Sequence, residues 1–233
     1  LLLQTGSGDD FIDNTAFATN DEIRTGAGND AVKAGAGNDD IRTGAGDDRI
    51  ILNEVSGDDV IDGGEGIDSL DVDWRSQGGY LTHSVELQTA DGTVYRRIVN
   101  SDVSLEELSQ LNAQAISHAY GAGWYYTSYG FYDTQGNYGE GQYYYDGYAD
   151  STQVAYYKNI ENININGTEY NDLFNYQGTG IGEFAGNGGV DTLYADLSDW
   201  TAAVLFSNGS TSTINDGLNS LTVSGVERLL LQT

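Results

Sequence analysis

Residues 25–71 repeat a nine-residue unit, written TGAGNDAVK at 25–33, AGAGNDDIR at 34–42, TGAGDDRII at 43–51 and, after an interruption, GGEGIDSLD at 63–71. Each of these copies has glycine second and fourth, aspartate sixth and an aliphatic residue eighth. Because glycine tolerates positive φ and close backbone approach, each unit is predicted to open with a tight turn. A three-residue strand with one inward side chain is predicted to follow. The predicted inward residues are Val32, Ile41, Ile50, Ile61 and Leu70.

A strand with one inward side chain has no core of its own, so copies of the unit must stack on one another. Further copies lie at 5–13, 16–24 and 54–62, and two more occur at 167–175 and 186–194. A period this short predicts a solenoid. The predicted fold class is mainly all-β, with parallel β-roll or β-solenoid blocks, inserted antiparallel hairpins and one short α-helix.

The pattern resembles the repeats-in-toxin (RTX) family, whose glycine- and aspartate-rich nonapeptides form a calcium-binding parallel β-roll. The resemblance implies that two nonapeptides make one coil, and that several Ca²⁺ ions lie between stacked turns. Calcium prefers six to eight oxygen ligands, and stacked aspartates without cations would repel each other. The implied carboxylate ligands are Asp10, Asp21, Asp30, Asp39, Asp48, Asp59, Asp68, Asp172 and Asp191. The glycines implied as ligands through their backbone carbonyls are Gly6, Gly8, Gly26, Gly28, Gly35, Gly37, Gly44, Gly46, Gly57, Gly64, Gly66 and Gly189.

If successive copies alternate between two sides of the roll, the sixth-position aspartates of the first block form two columns. The first is predicted to contain Asp10, Asp30, Asp48 and Asp68, and the second Asp21, Asp39 and Asp59. This arrangement predicts about five inter-turn sites. In the second block the copy QGTGIGEFA has Gly182 where the aspartate is expected, so an aspartate introduced there is expected to strengthen folding.

The composition argues against several classes of partner. The 233 residues carry a net charge of −27, which disfavours nucleic acid and anionic membranes and is compensated best by divalent cations. The absence of cysteine excludes disulfides and thiol chemistry. No stretch approaches the ~18 apolar residues of a membrane span. Together with the RTX resemblance, this predicts a secreted protein or one at the cell surface.

The pentapeptide LLLQT occurs at 1–5 and again at 229–233. We therefore expect the chain to be one period of a longer array, with neighbouring copies as partners. Five segments are predicted: a calcium-binding roll block at 1–71, an inserted lobe at 72–159, a second short roll block at 160–194, a small antiparallel insertion at 195–225 and a re-entry strand at 226–233. The re-entry stretches KNIENININ and SGVERLLLQ align without a gap, which pairs Glu161 with Glu227.

The two insertions have their own signals. Asp91-Gly92 predicts a hairpin between alternating strands, and Ser104 with Glu107 forms a capping box for a helix expected to end at Gly121. Residues 120–148 are rich in tyrosine and glycine, which suits either a lobe of mutually packed tyrosines or contacts with glycans. In the second insertion, Asn208-Gly209 and Asp216-Gly217 predict a three-stranded meander.

The predicted function is structural: a calcium-stabilised repeat unit of an extracellular fibre, surface layer or adhesin. One alternative is an adhesin module that binds glycans or another cell through the tyrosine-rich segment, and another is a secretion and folding domain of an enzyme or toxin. Ice binding is a weaker alternative, because Thr25 and Thr43 occupy the first position of the unit instead of the third. No enzymatic activity is expected, since the histidines His83 and His118 belong to no recognisable catalytic constellation.

Overall fold

The computed structural model describes residues 2–52, 57–75, 79–115, 117–130, 144–177, 179–202, 205–207 and 211–233. The predictions for Asn208-Gly209 and for the centre of the tyrosine-rich segment, 131–143, lie outside these residues. The described residues form mainly β-strands and one short helix, which confirms the predicted fold class.

The first roll block is a stack of short parallel strands in two facing sheets. Its strands are β1 (Leu2–Gln4), β2 (Phe11–Asp13), β3 (Glu22–Ala27), β4 (Ala31–Lys33), β5 (Asp40–Ala45), β6 (Arg49–Leu52), β7 (Gly57–Glu65) and β8 (Ser69–Asp73). Odd-numbered strands pair with one another in one sheet and even-numbered strands in the other. Successive nonapeptides therefore alternate sides, and two of them make one coil.

The eighth-position side chains form the core between these two sheets. Ile23, Ile41 and Ile61 face each other in register along one sheet, and Val32, Ile50 and Leu70 do so along the other. All six are at most 1% exposed, so the predicted inward set is confirmed. Burying one such side chain stabilises the fold by about 1.5–3 kcal/mol.

The first insertion extends the odd-numbered sheet. Its elements are β9 (Tyr80–Gln88), β10 (Val94–Val99), α1 (Leu105–Gln114), β11 (Ser117–Gly130) and β12 (Tyr144–Lys158). Strand β12 lies parallel to β7, whereas β11, β9 and β10 follow in antiparallel order. The hairpin between β9 and β10 turns at the predicted Asp91-Gly92, where Gly92 has φ +89°.

Helix α1 begins as predicted and ends early. The Ser104 hydroxyl accepts the Glu107 N–H at 3.1 Å, which is the expected N-cap contact. The prediction that the helix continues to Gly121 was wrong, because Ala115 already has extended backbone with ψ 138°. From Ser117 onward the chain pairs with β9 and β12, and this long-range pairing outweighs local helix propensity.

The second block continues the even-numbered sheet and adds a third sheet. Its strands are β13 (Asn162–Asn166), β14 (Leu173–Gln177), β15 (Ile181–Ala185), β16 (Thr192–Asp196), β17 (Leu205–Ser207), β18 (Thr211–Asn215), β19 (Ser220–Ser224) and β20 (Arg228–Gln232). Strands β13, β15 and β19 stack in parallel on β8, and β14, β16 and β20 form the third sheet. Strands β17, β18 and β19 form the predicted antiparallel meander, whose last strand belongs to the roll.

The prediction that Gly182 occupies the sixth position of its coil was wrong. It lies opposite Ile163 and Leu221, in register with the inward residue Leu70, and its coil has Gly180 at the sixth position instead. The reason is packing. A Cβ added to Gly182 would lie 2.7 Å from Leu221 Cδ2 and 2.8 Å from the Phe184 ring.

We therefore expect Gly182→Ala to destabilise the protein by about 1–3 kcal/mol, the usual cost of overpacking a core. Gly182→Asp would also bury a charge, so it should weaken folding further. Urea unfolding in saturating calcium measures both effects. Gly6→Ala is the matched control, because its added Cβ has no atom within 4 Å. Wild-type stability in Gly182→Ala would contradict this packing.

Candidate calcium sites

The sixth-position aspartates of the first column are joined by a ladder of hydrogen bonds. The Asp10 N–H donates to Asp30 Oδ1 at 2.8 Å, the Asp30 N–H to Asp48 Oδ1 at 2.8 Å, and the Asp48 N–H to Asp68 Oδ1 at 2.9 Å. Each carboxylate thus accepts the backbone N–H of the previous coil. The four residues of the first predicted column are the ones that this ladder connects.

The second column and the second block use the same contact. The Asp21 N–H donates to Asp39 Oδ1 at 2.9 Å, and the Asp39 N–H donates to Asp59 Oδ1 at 3.0 Å. Farther along the chain, the Asp172 N–H donates to Asp191 Oδ1 at 2.7 Å. One oxygen of each accepting carboxylate is therefore used to hold neighbouring coils together.

The second carboxylate oxygen has no hydrogen-bond donor at five of these positions. A buried, charged oxygen without a donor or cation is costly, and a bound metal ion removes that cost. All five residues are at most 2% exposed. The oxygens are Oδ2 of Asp30, Asp39, Asp48, Asp68 and Asp191.

The turn glycines allow the backbone carbonyls of one coil to approach the next coil closely. A Cβ on Gly44 would overlap the Gly26 carbonyl oxygen, and a Cβ on Gly64 would overlap that of Gly44. Stacked turns therefore direct carbonyl oxygens into the gap between coils. Within the described ranges, no three carboxylate, imidazole or thiol groups lie close enough together to hold a metal ion by themselves. An ion here would combine carboxylates with carbonyls, and calcium accepts both.

Two of the predicted ligands differ from the other aspartates. Both Asp21 oxygens accept hydrogen bonds, Oδ1 from the Thr19 hydroxyl at 2.9 Å and Oδ2 from the Asn14 amide. Asp172 accepts the Leu81 N–H at 2.7 Å and the N–H and hydroxyl of Thr168. Asp21 is the first carboxylate of the second column, and Asp172 is the first of the second block. In both, the protein itself supplies hydrogen-bond donors to both carboxylate oxygens. Their metal-ligand role stays a prediction.

The nonapeptide contains a second ladder that the sequence did not reveal. The Asn29 N–H donates to Asp9 Oδ1 at 2.8 Å, the Asp47 N–H to Asn29 Oδ1 at 3.0 Å, and the Ile67 N–H to Asp47 Oδ1 at 2.9 Å. This fifth-position ladder runs opposite to the aspartate ladder. Its sequence signal is the Asn or Asp at the fifth position, which Ile67 replaces where the ladder ends.

The first-position threonines form a third ladder inside the roll. The Thr5 hydroxyl donates to the Thr25 carbonyl at 2.7 Å, and the Thr25 hydroxyl donates to the Thr43 carbonyl at 2.8 Å. Thr25 and Thr43 are fully buried. They are therefore not part of an outward-facing row of the kind that ice binding would need.

Residues 15–50 and 56–71 match the family HemolysinCabind, described as the RTX calcium-binding nonapeptide repeat, in four copies. The resemblance inferred from the sequence is thus confirmed for this segment, which contains calcium-binding RTX repeats. A search of curated proteins gave no significant match. Among the described residues, no helix is long and apolar enough to cross a membrane.

Burial raises the pKa of several carboxyls in these ladders. The pKa of Asp39 and of Asp68 rises to about 6, and that of Asp191 to about 7. Burial is the largest cause, and the neighbouring carboxylates of the same column raise each pKa further. Without a cation, burial and the neighbouring charges favour the protonated form of these carboxyls, so they bind protons as the pH falls through 7 to 6.

We expect the calcium-free protein to become more stable on acidification from pH 7.5 to pH 5. Folded-state pKa values above the unfolded value of 3.8 mean that the folded state binds more protons, so stability is lost as pH rises through 6 to 7. Circular dichroism after dialysis against EGTA measures this change. Asp68→Asn should reduce the pH dependence, whereas Asp102→Asn, at an exposed loop position, should preserve it. A β signal that falls on acidification would contradict the expectation.

Proposed function

We propose that this chain is a structural repeat unit of an extracellular fibre, surface layer or adhesin, in which calcium stiffens a β-roll rod and the insertions project from it. The observation that carries the proposal is the pair of strands β1 and β20. Each contains part of a copy of LLLQT, at 1–5 or at 229–233, and each lies at the edge of its sheet. The RTX repeats support calcium binding as the source of rigidity.

The two strands present complementary edges. Directly after β1 the Thr5 N–H donates to the Arg24 carbonyl of β3 at 2.9 Å, and in β20 the Gln232 carbonyl accepts the Leu197 N–H at 2.7 Å. Thr5 corresponds to Thr233 and Gln232 to Gln4, and adjacent residues of a strand direct their backbone groups to opposite edges. A single LLLQT strand could therefore make both sets of bonds, joining the end of one copy to the start of the next.

Side-chain burial supports the same junction. Leu2 of β1 is 67% exposed, whereas the corresponding Leu230 of β20 packs against the buried cluster that contains Leu108 of α1 and Tyr194. An exposed leucine of this size is a natural contact for another copy. In an array, α1 of the preceding copy would cover the position of Leu2.

Calcium would also act as the folding switch. The donor-free carboxylates repel each other without a cation, and the short strands bury little surface, so we infer that the chain folds where calcium is abundant. Millimolar calcium outside cells provides that condition. The proposal therefore places the protein in the extracellular space or at the cell surface. It assigns no catalysis, in keeping with the complete burial of His83.

Small-angle X-ray scattering of a chain of two consecutive periods tests the proposal. Seven parallel strands of the even-numbered sheet give each period a rise of about 34 Å at ~4.8 Å per strand. In calcium, the second period should lengthen the particle by that amount. EGTA should abolish the fixed length.

The control replaces the junction pentapeptide LLLQT by a flexible glycine-serine linker, which should allow the two periods to move independently. If the native and linker chains scatter alike in calcium, the rod proposal fails.

A second candidate function, adhesion, is favoured by the backbone of the tyrosine-rich hairpin. Strand β9 pairs with β11 only as far as Gly123, and β7 pairs with β12 only from Gln153 onward. Within the described residues, 124–130 and 144–150 pair only with each other, as a two-stranded ribbon. Tyrosines lie opposite each other in it, Tyr126 with Tyr148 and Tyr129 with Tyr145.

Tyrosine-rich surfaces suit contacts with glycans and proteins. If the ribbon is adhesive, the intact chain should bind to a glycan array. A variant in which residues 124–150 are replaced by a short turn should not bind. Equal binding of both, or of neither, argues against this function.

A further inference from the structure

The first aspartate column does not stop at the last nonapeptide of its block. The Asp68 N–H donates to Glu161 Oε2 at 2.9 Å, the same distance at which the Asp48 N–H donates to Asp68 Oδ1. Glu161 thus occupies the next place in the ladder, although it lies 93 residues away and outside any nonapeptide. The sequence alignment marked this glutamate without indicating a role.

The second block ends in the same way. The Asp191 N–H donates to Glu227 Oε2 at 2.8 Å. The Glu161 N–H donates to the backbone carbonyl of Asp68, and the Glu227 N–H donates to that of Asp191, each at 3.1 Å. The sixth-position aspartates instead donate onward to the next carboxylate. The glutamate backbones are therefore placed differently, and their additional methylene lets the carboxylate reach the same place in the column.

The partner aspartates have carboxylate oxygens that the protein leaves without a donor. Asp68 and Asp191 are 0% exposed, and neither Oδ2 atom accepts a hydrogen bond. Of the ion pairs among the described residues, none involves these aspartates or the two glutamates. Each pair of carboxylates is thus a concentration of negative charge without a protein cation.

A backbone carbonyl completes each set of oxygens. A Cβ added to Gly63 would lie 2.5 Å from Asp68 Oδ2 and would overlap the Asn159 carbonyl oxygen. In the second block, the carbonyl of Gly225 takes the corresponding position beside Asp191 Oδ2. Both carbonyls belong to residues with left-handed backbone, Asn159 at φ 53° and Gly225 at φ 63°. Two unrelated insertions therefore end in the same arrangement of oxygens.

We propose that Glu161 and Glu227 are calcium ligands, each binding one ion together with the donor-free oxygen of Asp68 or Asp191. Two carboxylates and a carbonyl are the hard oxygen donors that calcium selects, and water completes such shells. This assignment rests on the proposed calcium binding of the roll. It adds two sites that the nonapeptide pattern does not contain.

Each of these sites would end a column of aspartates and would also hold together the two ends of an insertion. Asp68 precedes the first insertion and Glu161 follows it, so an ion shared between them ties the exit of the insertion to its return. Asp191 and Glu227 flank the second insertion in the same way. The free energy of calcium binding at such a site contributes directly to the free energy of folding of the insertion whose ends the ion joins. Calcium thereby links each insertion to the folding of the roll.

The test is the number of calcium ions bound by the full chain, counted by native mass spectrometry at saturating calcium. Glu161→Gln and Glu227→Gln keep the side-chain length and the oxygen that accepts the aspartate N–H, but remove the charge. Each variant should bind one ion fewer than wild type, and the double variant two fewer. Glu183→Gln, an exposed glutamate on β15, is the matched control and should keep the wild-type count.

A role in hydrogen bonding alone would leave the ion count unchanged in both variants, and that result overturns the assignment. If Glu161→Gln does not fold, the count in Glu227→Gln decides, because its insertion is the smaller one. A wild-type chain that binds no calcium would overturn the proposed function as well. Bound calcium with an unchanged count in the variants would overturn the glutamate sites alone.

Discussion

The structure depends on a stack of carboxylates that are buried and share the same charge. Parallel strands repeat every ~4.8 Å, so each column sets its aspartates about 5 Å apart. At an effective dielectric constant of about 20, two such charges repel by about 3 kcal/mol. The aspartate ladder satisfies one oxygen of each group and leaves the other facing the gap between coils. A divalent cation in that gap converts the repulsion into attraction.

Glycine makes this stacking possible. The turn carbonyl of one coil lies where the next coil would carry a Cβ, as at Gly26 beneath Gly44, so any side chain there would separate the coils. Gly44 also has φ 113°, which other residues rarely adopt. The same close approach places turn carbonyls between neighbouring coils. The repeat thus combines two requirements, dense stacking and oxygen ligands for a cation, in nine residues.

Much of the roll could be predicted because its causes are local. Turn glycines, the aspartate and the inward aliphatic residue recur at fixed spacing, so the alternation of sides and the buried position of Ile41 follow from the period. Contacts between distant segments were not predictable in this way. The end of α1 depends on pairing of β11 with β9, and the position of Gly182 depends on the Phe184 ring. Glu161 reaches Asp68 across an entire insertion, where no spacing rule applies.

The central claim is that calcium occupies the gaps between stacked turns and binds the donor-free carboxylate oxygens. Anomalous diffraction from crystals grown in calcium, recorded at two wavelengths to identify the element, measures this directly. The account predicts calcium peaks about 2.3–2.6 Å from Oδ2 of Asp30, Asp39 and Asp48. Well-ordered carboxylates whose Oδ2 atoms contact only water or protein donors, with no anomalous peak beside them, would contradict it.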